Sequence, residues 1–280
     1  MKIVTLGTGS PLPDPNRAGP CTLVRVPGAD ILVDCGRGAL MRAAAAGVMP
    51  GMVHSLLLTH LHSDHITDVN DLITMRWAMS MVENPLVIWG PPGTVEFIDR
   101  TLTMLTLDIG YRLAHHEDLD WQPPVDVHEV HDGPVELGVA GLDVLAAPTD
   151  HAPVHPTVGY RFTTADGVAA LAGDTVPCEG LDRLCADADV YVQTTIRAAL
   201  IAAIPFQRLQ DILDYHSSIE QAADTAKRNN VGTLLITHMV PAPTPDAEGE
   251  QPWIDEAHAV FDGEVIIARD LLEVAVGGVT

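Results

Sequence analysis

The stretch Leu56-Leu57-Leu58-Thr59-His60-Leu61-His62-Ser63-Asp64-His65 constrains this chain more than any other part of it. An apolar run that reads as a buried strand passes directly into three histidines and one aspartate within six positions. On an extended segment alternate residues share a face, which puts His60 and His62 together. If the chain then turns into a helix, Asp64 and His65 project toward a neighbouring point. Imidazole nitrogens and carboxylate oxygens grouped in this way suit two metal ions side by side. A solvated turn with chance histidines is a poor account of so many donors at the end of a buried strand.

Two ions need further ligands, and other strand ends supply candidates. His151 follows the run Leu142–Ala146, Asp174 follows Ala169-Ala170-Leu171-Ala172-Gly173, and His238 follows Leu234-Leu235-Ile236-Thr237. An α/β sheet places its chemistry at such ends. Each of the three alone reads as well as a turn or cap; with the first cluster they make a set of seven. His155 competes with His151 for the same place, and His151 is preferred because it lies nearer its strand.

Short β-rich runs alternate with helical stretches throughout, which predicts one α/β domain over residues 1–280. Strands are expected at 2–6, 22–26, 31–33, 55–59, 86–89, 125–130, 142–146, 158–163, 168–172, 190–193 and 233–237, and in the tail. Helices are expected at 37–46, 64–81, 94–105 and 217–229, with an irregular stretch at 111–134. The Pro- and acid-rich segment 241–252 reads as a surface loop. Met75, Met79, Met81 and Trp77 read either as a substrate wall or as helix packing.

Composition narrows the setting. Fifteen Lys and Arg stand against 38 Asp and Glu, a net charge of −23. That balance argues against a polyanionic partner, since phosphate contacts dominate nucleic-acid affinity. No apolar run reaches the roughly 18–20 residues of a membrane span, and Met1–Gly7 reads as a strand, not a signal peptide. Cys21, Cys35, Cys178 and Cys185 are scattered, with no CxxC pair. They read as buried small hydrophobes in a reducing cytoplasm.

His60-Leu61-His62-Ser63-Asp64-His65 resembles the HxHxDH signature of the metallo-β-lactamase fold hydrolases. The flanking text is similar to one branch, the ribonuclease Z and arylsulfatase-like proteins. The residues that carry this are Leu6–Pro11, Leu32–Gly38, Gly90–Thr94, Gly159-Tyr160-Arg161, Ala172–Thr175 and Thr237-His238. The resemblance implies a four-layer αβ/βα sandwich with a dinuclear site at one sheet edge. By position, His60, His62 and His151 would hold one zinc, Asp64, His65 and His238 the other, and Asp174 would bridge them. Manganese or iron also suits such donors. Relatives of this branch are often dimers, which implies a homodimer.

Paired divalent ions acidify a shared water and polarise an ester. Asp64 is the candidate proton acceptor. His216, in Asp214-Tyr215-His216-Ser217-Ser218, is the candidate proton donor to the leaving group, before a helix that Ser217 and Glu220 would cap. It resembles the HST element of ribonuclease Z; ordering the turn is the plainer role.

His151 and Asp174 are only 23 positions apart, too close for the long tRNA-gripping arm of ribonuclease Z. Where that branch tends to carry a His-Glu pair, the chain reads Val192-Gln193-Thr194-Thr195. The leading expectation is therefore a zinc-dependent hydrolase of a small ester (phosphodiester, sulfate ester or lactone) that binds no nucleic acid. The apolar stretch 196–206 would then face an apolar substrate or a dimer partner. The alternatives are a tRNA 3′-processing endonuclease and a non-catalytic metal-containing binding protein.

Overall fold

Period-2 burial decides the architecture. In Ala29–Val33, Ile31 and Val33 face one core while Leu32 faces another, so the strand is covered on both sides. The computed structural model describes residues 1–277. Its first half contains β1 (Lys2–Gly7), β2 (Cys21–Val26), β3 (Ala29–Val33), α1 (Ala39–Ala45), β4 (Val53–Leu57), α2 (Ser63–Ile66) and α3 (Val69–Ala78), followed by β5 (Leu86–Gly90), α4 (Thr94–Met104), α5 (Thr106–His115) and β6 (Val125–Glu129). The second half contains β7 (Gly133–Pro134), β8 (Asp143–Pro148), β9 (Val158–Thr164), β10 (Gly167–Leu171), α6 (Glu179–Cys185) and β11 (Val190–Ile196). It continues through α7 (Ala198–Ala202), α8 (Gln207–Gln210), α9 (Ile219–Arg228), β12 (Thr233–Val240), α10 (Ala247–His258) and β13 (Glu264–Ile267). The last strand, β14 (Leu272–Ala275), crosses back to pair with β1.

Two seven-stranded sheets result, ordered β14-β1-β2-β3-β4-β5-β6 and β13-β12-β11-β10-β9-β8-β7. Each is antiparallel on one side and parallel on the other, the change falling at β3 and at β10. Ile3, Val24 and Ile31 of the first sheet meet Tyr160, Phe162 and Leu171 of the second in the central core. Helices α1, α3 and α4 cover the outer face of the first sheet through Leu40, Leu72 and Ile98. Helices α6, α9 and α10 cover the second through Leu184, Ala222 and Trp253. This is the expected αβ/βα sandwich. No helix among the described residues is long and apolar enough to cross a membrane.

Several expectations are corrected. The helix expected at 64–81 breaks after Ile66: α2 is a short turn and α3 starts at Val69. Helix α5 occupies the start of the stretch expected to be irregular. Helix α10 replaces part of the expected 241–252 loop and carries Pro252 inside it. Proline removes one backbone bond and costs about 3 kcal/mol in a helix. Burying Trp253 withdraws an indole of roughly 150–250 Å² from water, about 4–6 kcal/mol at ~25 cal/mol/Å². Burial therefore wins. Trp77 is packed with Ile109 and Leu119, while Met79 and Met81 are exposed, so this group forms no substrate wall.

Candidate metal centre

The parallel strands deliver their donors at one edge. After β4, Thr59 and His60 leave the sheet buried, and α2 presents Asp64 and His65 inward. After β10, Gly173 adopts φ +66, and a Cβ there would stand 2.8 Å from Thr59 Cβ. Glycine is what lets Asp174 approach the first sheet. His151 lies just beyond β8. His238 falls within β12, not after it, at φ +48 where the pairing with β11 slips.

Two groups of donors form. His60, His62, His151 and Asp174 make one; Asp64, His65 and His238 make the other, and within each group the ligand atoms lie inside 4.8 Å of one another. Asp174 Oδ2 stands between them, 3.9 Å from His60 Nε2 and His151 Nε2, 3.5 Å from His65 Nε2 and 3.7 Å from His238 Nε2. His238 Nε2 also lies 3.1 Å from Asp64 Oδ2. All of these residues are buried except His62, which is partly open. His155 is exposed and outside the group, whereas His151 lies within it.

Surrounding polar groups fix which ring nitrogens stay free. The Thr59 hydroxyl donates to Asp34 at 2.9 Å, so it accepts from His60 Nδ1 at 3.0 Å. His65 Nδ1 donates to Asp34 Oδ2 at 2.8 Å, and His151 Nδ1 to the Tyr215 carbonyl at 2.8 Å. Each leaves its Nε2 facing the centre, the arrangement that orients metal-binding imidazoles. Thr194 Oγ1 holds the other oxygen of Asp174 at 2.8 Å. Asp34, Thr59, Thr194 and Tyr215 were not singled out from the sequence. Asp34 alone left a signal, being an acidic residue directly after an apolar strand.

Electrostatics divides the histidines. Burial pushes the imidazoles of His60 and His62 down and that of His151 down to about 4, so their lone pairs are free at neutral pH. Burial would also lower His65 and His238, but Asp174 and its neighbouring carboxylates outweigh it and hold both above the ordinary range. Burial opposes the charge of Asp174, yet His238 and His65 keep it well below the usual carboxylate range. Even so, His65 Nε2 is buried without a hydrogen-bond partner. An all-His/Asp donor set, with that nitrogen aimed into it, fits divalent metal ions.

His216 Nε2 lies 3.2 Å from Asp174 Oδ2, and its Nδ1 lies 3.2 Å from the Ile212 carbonyl. The capping box before α9 is formed by Ser218 and Gln221, not by Ser217 and Glu220. Ser217 instead donates to the Thr175 carbonyl at 2.7 Å, tying this segment to the strand end that carries Asp174. A cavity of about 210 Å³ opens over the centre, walled by Leu12, Leu209, Ile212, Tyr215 and Val240. Beyond His216 lies a second cleft of about 740 Å³. Its apolar side comes from Ile196, Ala199 and Ala202, within the apolar stretch seen in the sequence.

Residues 29–239 match the beta-lactamase superfamily domain. The ribonuclease Z of Mycobacterium avium (strain 104) is 54% identical over 278 residues, covering 99% of this chain and 98% of that protein. The chain belongs to the ribonuclease Z branch of the metallo-β-lactamase superfamily. It is accordingly a metal-dependent hydrolase of ester bonds. The fold of the superfamily recurs in the metallo-beta-lactamase fold protein YhfI from Bacillus subtilis, with TM-score 0.75, 21% identity and 98% of both chains covered. Human tRNase Z, short form, aligns with TM-score 0.69 at 22% identity over 99% of each chain.

This placement in the ribonuclease Z branch overturns one expectation. A small-molecule substrate and the exclusion of nucleic acid rested on the net charge of −23 and on the short 151–174 interval. A relative this similar over its whole length is a ribonuclease. Net charge is an average over the surface, whereas phosphates are met by a few local cations.

Proposed function

We propose that this protein is a ribonuclease Z-type endonuclease that cleaves a phosphodiester bond in the 3′ processing of precursor tRNA. The full-length similarity to the mycobacterial ribonuclease Z carries this reading. In it, His60, His62 and His151 would hold one divalent ion and Asp64, His65 and His238 a second, with Asp174 within reach of both groups. Zinc suits these nitrogen and oxygen donors. Such ions supply Lewis acidity, making water nucleophilic at neutral pH and offsetting charge on the phosphoryl oxygens.

The chain's own residues do the rest. Asp64, held by His238 at 3.1 Å, accepts the proton of the attacking water. His216 keeps a proton at Nε2 against Asp174 and delivers it to the leaving oxygen, from the wall between the cavity and the wider cleft. The apolar residues around the cavity exclude bulk water, which strengthens each of these interactions.

The test is a precursor tRNA with a labelled 3′ trailer, incubated with zinc-loaded protein and with Asp174→Ala. Release of an intact trailer by the parent and none by the variant is expected. Failure of the parent to cut, with metal bound, would sink the reading.

A further inference from the structure

We propose that Arg37 and Arg208, one from each half of the fold and each next in sequence to a residue placed at the metal centre or its cavity, grip the RNA backbone; this rests on the ribonuclease reading above. The starting observation is how the fifteen Lys and Arg are engaged. Most are held by carboxylates, as in Arg42–Asp270 at 2.9 Å, Arg197–Glu256 at 3.2 Å and Arg228–Asp182 at 2.7 Å. The remaining pairs follow the same pattern. Arg17, Arg76 and Arg161 are turned onto backbone carbonyls. Among the described residues only Arg37, Arg208 and Lys227 have neither kind of partner, and all three are exposed.

Two of these three are next in sequence to residues placed at the metal centre or its cavity. Arg37 follows Gly36, where an added Cβ would lie 2.2 Å from the Asp64 carbonyl. The segment is pinned there by Cys35 N–H donating to the His65 carbonyl at 2.7 Å and by Gly19 N–H donating to the Arg37 carbonyl at 2.7 Å. Asp68 turns toward the start of α1, accepting from the Leu40 amide at 3.4 Å. Arg208 precedes Leu209, which walls the cavity from the other half. Its neighbour Asp211 is occupied by Gln207 Nε2 at 2.7 Å. Neither guanidinium makes an ion pair or a hydrogen bond among the described residues, and both are exposed.

On a surface with so many acids, a free guanidinium is the exception. Arginine presents a planar fork that matches phosphate oxygens in pairs. The acidic remainder of the surface repels RNA and leaves these positions as the places of contact. The 23-position interval from His151 to Asp174 holds little beyond the β9–β10 hairpin, so the grip has to come from the body of the fold.

The test measures binding of precursor tRNA to the zinc-loaded protein across a salt series, together with KM for cleavage. The variants are Arg37→Ala, Arg208→Ala, the double variant, and Lys227→Ala in the last turn of α9. Each Arg→Ala should lower the salt slope by about one and raise KM several-fold. Arg→Lys should restore the slope, and Lys227→Ala should leave it unchanged. Parental slope and KM in the double variant would overturn the grip while the ribonuclease reading stands. So would a Lys227→Ala effect as large as either arginine's. A parent protein that neither binds nor cuts RNA would overturn both.

Discussion

His65 Nδ1 donates to one oxygen of Asp34 at 2.8 Å, while the other Asp34 oxygen accepts from the Thr59 amide at 2.8 Å. One carboxylate thus fixes the ring of a proposed ligand and the strand end that delivers His60. Asp34 itself sits at φ +61, a left-handed conformation that asparagine tolerates well. Asp34→Ala should weaken metal affinity by about 10- to 100-fold, read by competition with a chelating dye. Asp34→Asn, which keeps the backbone but not the charge, should fall between. An affinity equal to the parent's in Asp34→Ala would show that His65 needs no such support.

His216→Ala should lower kcat by roughly 100-fold or more, the usual worth of a positioned proton donor. With metal supplied in excess, bound metal and melting temperature should stay near the parent's, since all the donors of both groups remain. Elemental analysis beside single-turnover kinetics separates the outcomes. A normal rate would leave His216 a turn-ordering residue.

Metal uptake should release protons. In the metal-free chain His65 and His238 are held above the ordinary imidazole range, because Asp174 and its neighbours outweigh the effect of burial. Both therefore hold a proton to higher pH than an ordinary imidazole does, and an ion must displace it. Apparent affinity should rise with pH through that range. Titration calorimetry in two buffers of different ionisation enthalpy should give different heats; identical heats would contradict the protonated state.

Gly173→Ala should destabilise the fold by more than about 1 kcal/mol, since φ +66 disfavours any side chain and the new methyl meets Thr59. A lowered melting temperature in both metal-free and metal-loaded protein is expected. An unchanged one would mean that the turn adjusts without strain.

Much of the centre was legible because its donors are written next to apolar strands. The run ending at Leu58 marks a strand terminus, and His60, His62, Asp64 and His65 are consecutive enough to be seen without tertiary information. Asp34, Thr59 and Thr194 act on residues that the fold brings to them from other strands, and no local pattern encodes that approach. The helices divide in the same way. Helix α4 follows a Gly-Pro-Pro-Gly break and shows in the sequence. Helix α10 is held by Trp253 against a distant core, and its proline pointed to a loop. The substrate was misjudged for a related reason: summed charge hides how cations are distributed and which of them are already engaged.

The centre is assembled across a seam. His60, His62, Asp64 and His65 come from the first half of the chain, and His151, Asp174 and His238 from the second. An ion held there has its full set of donors only when both halves are docked, so its binding energy is also cohesion between them. At a thousand-fold excess over its dissociation constant, one ion adds about 4 kcal/mol to that cohesion. For this protein, starvation of metal would then be a structural stress as much as a catalytic one, and durability in the cell would follow the supply of ions.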